Sequence, residues 1–297
     1  MKKFLLKIAL FFIIVACIDY LLGFGFDYML SKSTKTDFGR DNHICNKGTE
    51  DLLVFGSSRA IHHYNTDMMT DSLGISCYNC GEDGQGIILN YGRLLMYEQR
   101  HKPKIIIYDI EPSFDILPQD NHQFIKWLKP HCGRSGIMDI IASVDKTEKY
   151  KLMSQLYRYN TEFYTLLVAM KHINEPDNGT GYVPLIGSLN EVKKLADHSL
   201  PSMQIDSLKL HYLEAMIDTF SDTKICFVVS PSWNGKDVKA FEPIKALCNK
   251  YHLRFIDYSN NPKYIHQDRY YTDINHLNSK GADEFTKDII HLLKDLQ

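Results

Sequence analysis

The chain predicts an α/β domain with a five-stranded parallel sheet, tethered by one N-terminal transmembrane helix and interrupted by a middle insertion. Three observations predict it. Short apolar or β-branched runs alternate with helical stretches, several runs end in turns rich in Gly, Ser or Asp, and the first 22 residues are almost unbroken apolar sequence behind Lys2, Lys3 and Lys7. Strands alternating with helices imply parallel pairing through right-handed crossovers.

In order, Phe4 to Leu22 supplies 19 residues, roughly the ~20 that cross a bilayer as a helix, with Asp19 near the far end. A signal peptide is the alternative, but no small-residue cleavage site in a polar context follows the run. Ile14-Val-Ala-Cys17 resembles a lipoprotein box, yet apolar residues continue beyond Cys17. The early lysines put the N-terminus in the cytoplasm, hence a single-pass inner-membrane protein with its domain outside, in the periplasm. The expected organisation is an anchor over 1–30, a polar linker over 31–50, and a domain over 51–297 with an insertion at about 113–202.

Leu52 to Phe55 reads as a buried first strand, broken by Gly56-Ser57-Ser58-Arg59 before a helix. That junction puts hydroxyls at the C-terminal edge of the sheet, where open α/β folds bind ligands; a pair of helix-capping serines is the plainer reading. His62 and His63 are adjacent, point about 100° apart on a helix, and read as cleft-rim or surface residues rather than a chelate. Ile75 to Asn79 is the second strand. Its end, Gly81-Glu-Asp-Gly-Gln-Gly86, lets backbone amides approach a ligand but matches neither the dinucleotide fingerprint nor a Walker loop.

Ile105 to Asp109 is a third strand whose β-branched run suits a sheet covered on both faces, with Asp109 and Glu111 at its end. From Pro112 to about Ser202 the rhythm stops in aromatic, proline-broken sequence, with a loop over Pro176 to Gly187. It reads as a lid over the site or as a structural elaboration. A helix over Ile205 to Phe220, a strand over Lys224 to Ser230, a helix over Val238 to Tyr251, a strand over Arg254 to Asp257 and a closing helix over Ser279 to Leu296, capped by that serine, complete the pattern.

With 34 basic and 36 acidic residues and a net charge of −2, no electrostatic footprint for nucleic acid is present. Cys226 and Cys248 read as buried thiols. Cys77 and Cys80 lack a second ligand pair for zinc and read as packing residues, a disulfide being the alternative in an oxidising compartment. Neither metal nor cofactor is expected.

Asp273 and His276 lie three apart just before the closing helix, so in a turn they can hydrogen-bond, fix the ring's tautomer and leave the other nitrogen as a base for a serine. Gly56-Ser57-Ser58-Arg59, Gly81 and Asp273-x-x-His276-Leu277 together resemble the SGNH/GDSL hydrolase superfamily over essentially the whole domain apart from the insertion. The anchor and the Gly-Ser-Ser-Arg variant look most like its DltD-like and polysaccharide O-acetyl-transfer branches.

The resemblance implies a flavodoxin-like three-layer sandwich with Ser58 as nucleophile, His276 as base and Asp273 orienting it. It also implies the Ser58 and Gly81 N–H groups as oxyanion donors. The family's third donor, an asparagine after the third strand, has no match: Asp109 and Glu111 stand there, opposing an oxyanion unless protonated or turned away, and Asn79 is the substitute candidate.

The implied function is a serine esterase or O-acyltransferase working on an acylated glycan or other envelope polymer, in company with envelope-biosynthesis proteins. The alternatives are a non-catalytic binding or assembly component of the same fold, and a phosphate or nucleotide binder using the glycine loops.

Overall fold

The computed structural model describes residues 1–160, 162–172, 179–189 and 204–294. The chain forms two compact units, Met1–Lys47 with His122–Asn178, and Gly48–Asn121 with Gly179–Gln297.

The second unit holds a five-stranded parallel sheet in the order β2-β1-β3-β4-β5, where β1 is Leu52–Gly56, β2 Cys77–Asn79, β3 Ile105–Asp109, β4 Lys224–Val229 and β5 Arg254–Asp257. This is the flavodoxin-like strand order. Side chains alternate across the sheet and assign each face its cover. Leu52, Val54, Ile105, Ile107, Cys226 and Val228 join a core with Ala60, Tyr64, Met69 and Leu73 and, from the closing helix Ser279–Lys294, Phe285 and Ile289. On the opposite face Tyr108 packs on Phe227 and its hydroxyl accepts from Asn90, on the helix Ile87–Glu98. That helix meets Ser207–Thr219 through Tyr91 and Tyr212. The sheet is therefore the middle of three layers. The closing helix is capped by Asn278, whose Oδ1 accepts the Gly281 N–H, rather than by Ser279, whose N–H donates to Leu185 O. Its expected last residues, 295 and 296, lie outside the described residues.

In the first unit α1, Lys2–Lys32, is long and apolar enough to cross a membrane. The expected linker is instead folded. α2, Thr36–Asn42, and a π-helical turn, His43–Lys47, bury Phe38, Ile44 and Cys45. The apolar residues were too few to show a period among the polar ones, yet Phe38 stacks edge-on against Trp127 at 4.9 Å, and Phe26 of α1 meets Tyr159 and Phe163. The insertion's bounds are corrected with it. His122–Asn178 builds the first unit, whereas 112–121 and 179–189 remain with the sheet. Of the loop expected over 176–187, residues 176–178 lie outside the described residues, as do Pro201 and Ser202 of the insertion's expected end.

Candidate active site

The turn after β1 is built on Gly56, at φ +144, where a Cβ would meet Asp109 O at 2.6 Å and Ala60 Cβ at 2.8 Å. A side chain there would part β1 from β3, so only glycine lets the chain swing directly into the helix. That helix, Ser58–His63, is α3. Ser57 stands at its N-cap without a side-chain capping bond, and its Oγ is buried with no hydrogen-bond partner. The two serines are thus not a pair of caps.

Ser58 Oγ lies 2.8 Å from His276 Nε2, and His276 Nδ1 lies 3.0 Å from both Asp273 carboxylate oxygens. Asp273 Oδ1 also accepts the N–H groups of Asn275 and His276, the side-chain-to-backbone turn that Asp favours. Thr272 closes the loop by donating its N–H to His276 O, and Tyr271 bridges Leu277. Burial opposes the Asp273 charge, but the His276 ring and these amides outweigh it and hold the carboxyl below its usual range. Nδ1 therefore carries the proton toward Asp273, and Nε2 faces the hydroxyl as an acceptor.

A second histidine fixes this loop from beneath. His63, fully buried, accepts the Leu277 N–H at Nε2 over 3.0 Å, so its proton sits on Nδ1, 3.1 Å from Ser230 Oγ after β4. Burial, reinforced by His276 and Arg59, depresses its pKa well below the ordinary value and keeps it neutral. His63 is therefore a core residue, not a rim residue. Its neighbour His62 differs, with Nδ1 2.7 Å from Val183 O and Nε2 3.3 Å from Asp83.

The two carboxylates at the end of β3 are held by a partner that sequence reading missed. Arg59, directly after Ser58, is buried, pairs with Glu111 at 2.7 Å, lies 3.8 Å from Asp109 and donates to Ile110 O and Ser230 O. Burial disfavours the guanidinium charge, but Glu111 and Asp109 more than offset that. Glu111 also takes Lys236 at 2.7 Å, and the two cations hold it at about 2 against its own burial. Asp109 accepts the Tyr64 hydroxyl at 2.6 Å, and burial raises its pKa. The available signal was a basic residue after one strand and two acidic ones after its parallel neighbour, since β1 pairs β3 in register from Leu52 with Ile105 to Gly56 with Asp109.

Asn79, the candidate substitute for an oxyanion donor, is fully buried and committed to the backbone. Its Nδ2 donates to Ala60 O and Tyr64 O, and its Oδ1 accepts the Gly81 N–H at 3.0 Å. The Gly81 amide expected as an oxyanion donor is thus committed to Asn79. Ser58 N–H belongs to the first turn of α3, whose amides have no acceptor within the helix.

Among the described residues one group has metal-ligating geometry. Asp41, Cys45 and His131 in the first unit bring their donor atoms within 4.8 Å of one another, and the 2.7 Å His131–Asp41 bond together with the 3.6 Å hydrogen bond from Cys45 Sγ to Asp41 accounts for that approach. No disulfide joins the cysteines, Cys77 and Cys80 included. No protein-family model matches the chain, and no curated protein matches it.

Proposed function

We propose that the chain is a membrane-anchored serine esterase or O-acyltransferase of the SGNH kind, its domain on the extracytoplasmic side, acting on an acylated glycan or related envelope polymer. The observation carrying this reading is the continuous relay from Ser58 Oγ through His276 to Asp273, at 2.8 and 3.0 Å. Ser58 Oγ attacks the acyl carbonyl while His276 Nε2 takes its proton. The proton returns to the departing alkoxide, leaving an acyl-serine. Water or an acceptor hydroxyl, deprotonated by the same nitrogen, then takes the acyl group and the proton is restored to Ser58. Asp273 holds the imidazolium that forms at each step. The Arg59–Glu111–Lys236 cluster neutralises charge that would otherwise oppose an oxyanion.

Fluorophosphonate labelling of the full chain tests the reading. Modification at Ser58, lost in Ser58→Ala, is expected; an unlabelled chain beside a labelled control esterase sinks it.

A non-catalytic envelope component is the second reading, favoured by the Gly81 amide being held by Asn79. It predicts that Ser58→Ala and His276→Ala each restore a deletion phenotype fully, whereas the catalytic reading predicts that neither does.

A further inference from the structure

We propose that the first unit does not merely hang from its anchor but sinks one edge into the bilayer, with Tyr150 and Met153 at the boundary between headgroups and acyl chains. The inference rests on α1 spanning the membrane and is independent of the chemistry at Ser58.

The argument begins with Asp19. A carboxylate inside an apolar span is costly unless something other than lipid satisfies it. Here Ser154 Oγ donates to it at 2.6 Å, and the Gln155 and Leu156 N–H groups donate at 2.7 and 3.0 Å. The helix surface is shaped for that visit, because a Cβ on Gly23 would meet Gln155 Cβ at 2.2 Å. The loop at 154–156 is therefore fixed on α1 between Asp19 and Gly23.

Length converts that contact into depth. The 19 apolar-rich residues from Phe4 to Leu22 rise about 28 Å as a helix, close to the ~30 Å of a hydrocarbon core. Asp19 then lies about one turn, roughly 5 Å, inside the end of the span. A loop that satisfies Asp19 must reach the same level, a depth typical of elements lying in an interface.

The side chains around the loop suit that place. Tyr150 and Met153, just ahead of it, are 65 % and 76 % exposed. Lys149 lies over the Tyr150 ring at 4.9 Å, where its ammonium can reach headgroup phosphates. Higher along α1, the Phe163 ring packs edge-on to Phe26, and Tyr164 beside it is 78 % exposed. Phe26 is seven residues beyond Asp19, or about 10 Å, which puts Tyr164 at headgroup level, where amphipathic rings concentrate.

Spin labels in lipid nanodiscs test this on the full chain, in a Cys17→Ser background because Cys17 is the exposed cysteine. Met153→Cys, Tyr164→Cys, Ile186→Cys and Ile13→Cys replace exposed side chains, so each variant should keep the fold, which circular dichroism checks. Collision rates with oxygen and with a water-soluble nickel chelate are then compared. Ile13 should be oxygen-dominated, Met153 nearly so, Tyr164 intermediate and Ile186 nickel-dominated. A label at Met153 as open to nickel as one at Ile186, with Ile13 still in lipid, overturns the interfacial edge and leaves the anchor intact. Nickel access at Ile13 removes the span and this proposal together, and neither result bears on labelling at Ser58.

Discussion

At the scale of single residues, Asp273 has two tasks that one substitution separates. It accepts two backbone amides that shape its turn and faces the His276 ring through both oxygens. Asparagine keeps an acceptor for the amides but presents an NH2 to the ring, favouring the tautomer with its proton on Nε2. Asp273→Asn should slow fluorophosphonate labelling of Ser58 by about 10⁴-fold while the fold persists. Labelling within about tenfold of the native rate would remove Asp273 from the relay.

Two buried carboxyls make a separate prediction about stability. Burial raises Asp115 to about 7, outweighing the Glu111 N–H and the Tyr108 hydroxyl that donate to it. Folded Asp115 thus keeps a proton that the unfolded chain releases near 3.8, and stability falls as pH climbs from there to about 7. Glu111 acts oppositely. Its contribution is present above 4.5 and is lost as pH drops toward about 2. The pair therefore favours an optimum near about pH 4, and Asp115→Asn, isosteric with the protonated acid, should flatten the decline on the neutral side. Urea midpoints at about pH 4 and pH 7 measure it; an undiminished decline in the variant assigns it to another group.

At the scale of elements, the turn that carries Ser58 depends on how closely the β2 loop approaches α3. A Cβ at Gly81 would fall 2.4 Å from Ile61 N and 2.9 Å from Ala60 C, backbone atoms that can yield only if the helix moves. Gly81→Ala should destabilise the chain by about 1–3 kcal/mol. Because the displaced turn carries Ser58, it should also slow labelling; denaturant midpoints and labelling rates would expose a neutral substitution at once.

The strands, the turn after β1 and the Asp273/His276 spacing were legible because each is local: an apolar run, a glycine break, a three-residue step. Lys236 with Glu111, and His63 beneath the Leu277 amide, were not. Lys236 stands 125 positions from Glu111 and Leu277 stands 214 from His63, and neither a charge nor a histidine announces so distant a partner.

At the scale of the molecule, the division of the chain cuts across its sequence order. The segment expected as a linker has buried Phe38, Ile44 and Cys45, and its Asp41 bonds His131 at 2.7 Å. Asn46 takes a further hydrogen bond from Arg134. A soluble fragment beginning at Gly48 would thus lose α1, α2 and the π turn, and leave His122–Asn178 without the surface that buries Trp127 and Tyr159. One beginning at Asp19 would keep Gly23, Phe26 and Leu30, the buried residues of α1. Limited proteolysis should therefore cut the shorter fragment early within 122–178 while sparing the sheet unit, whose core of β1, β3, β4 and the closing helix is complete without those residues. The longer fragment, held in detergent because Tyr20, Leu21 and Phe24 stay exposed, should resist over the same interval. Equal resistance of the two would mean that His122–Asn178 folds without the N-terminal segment.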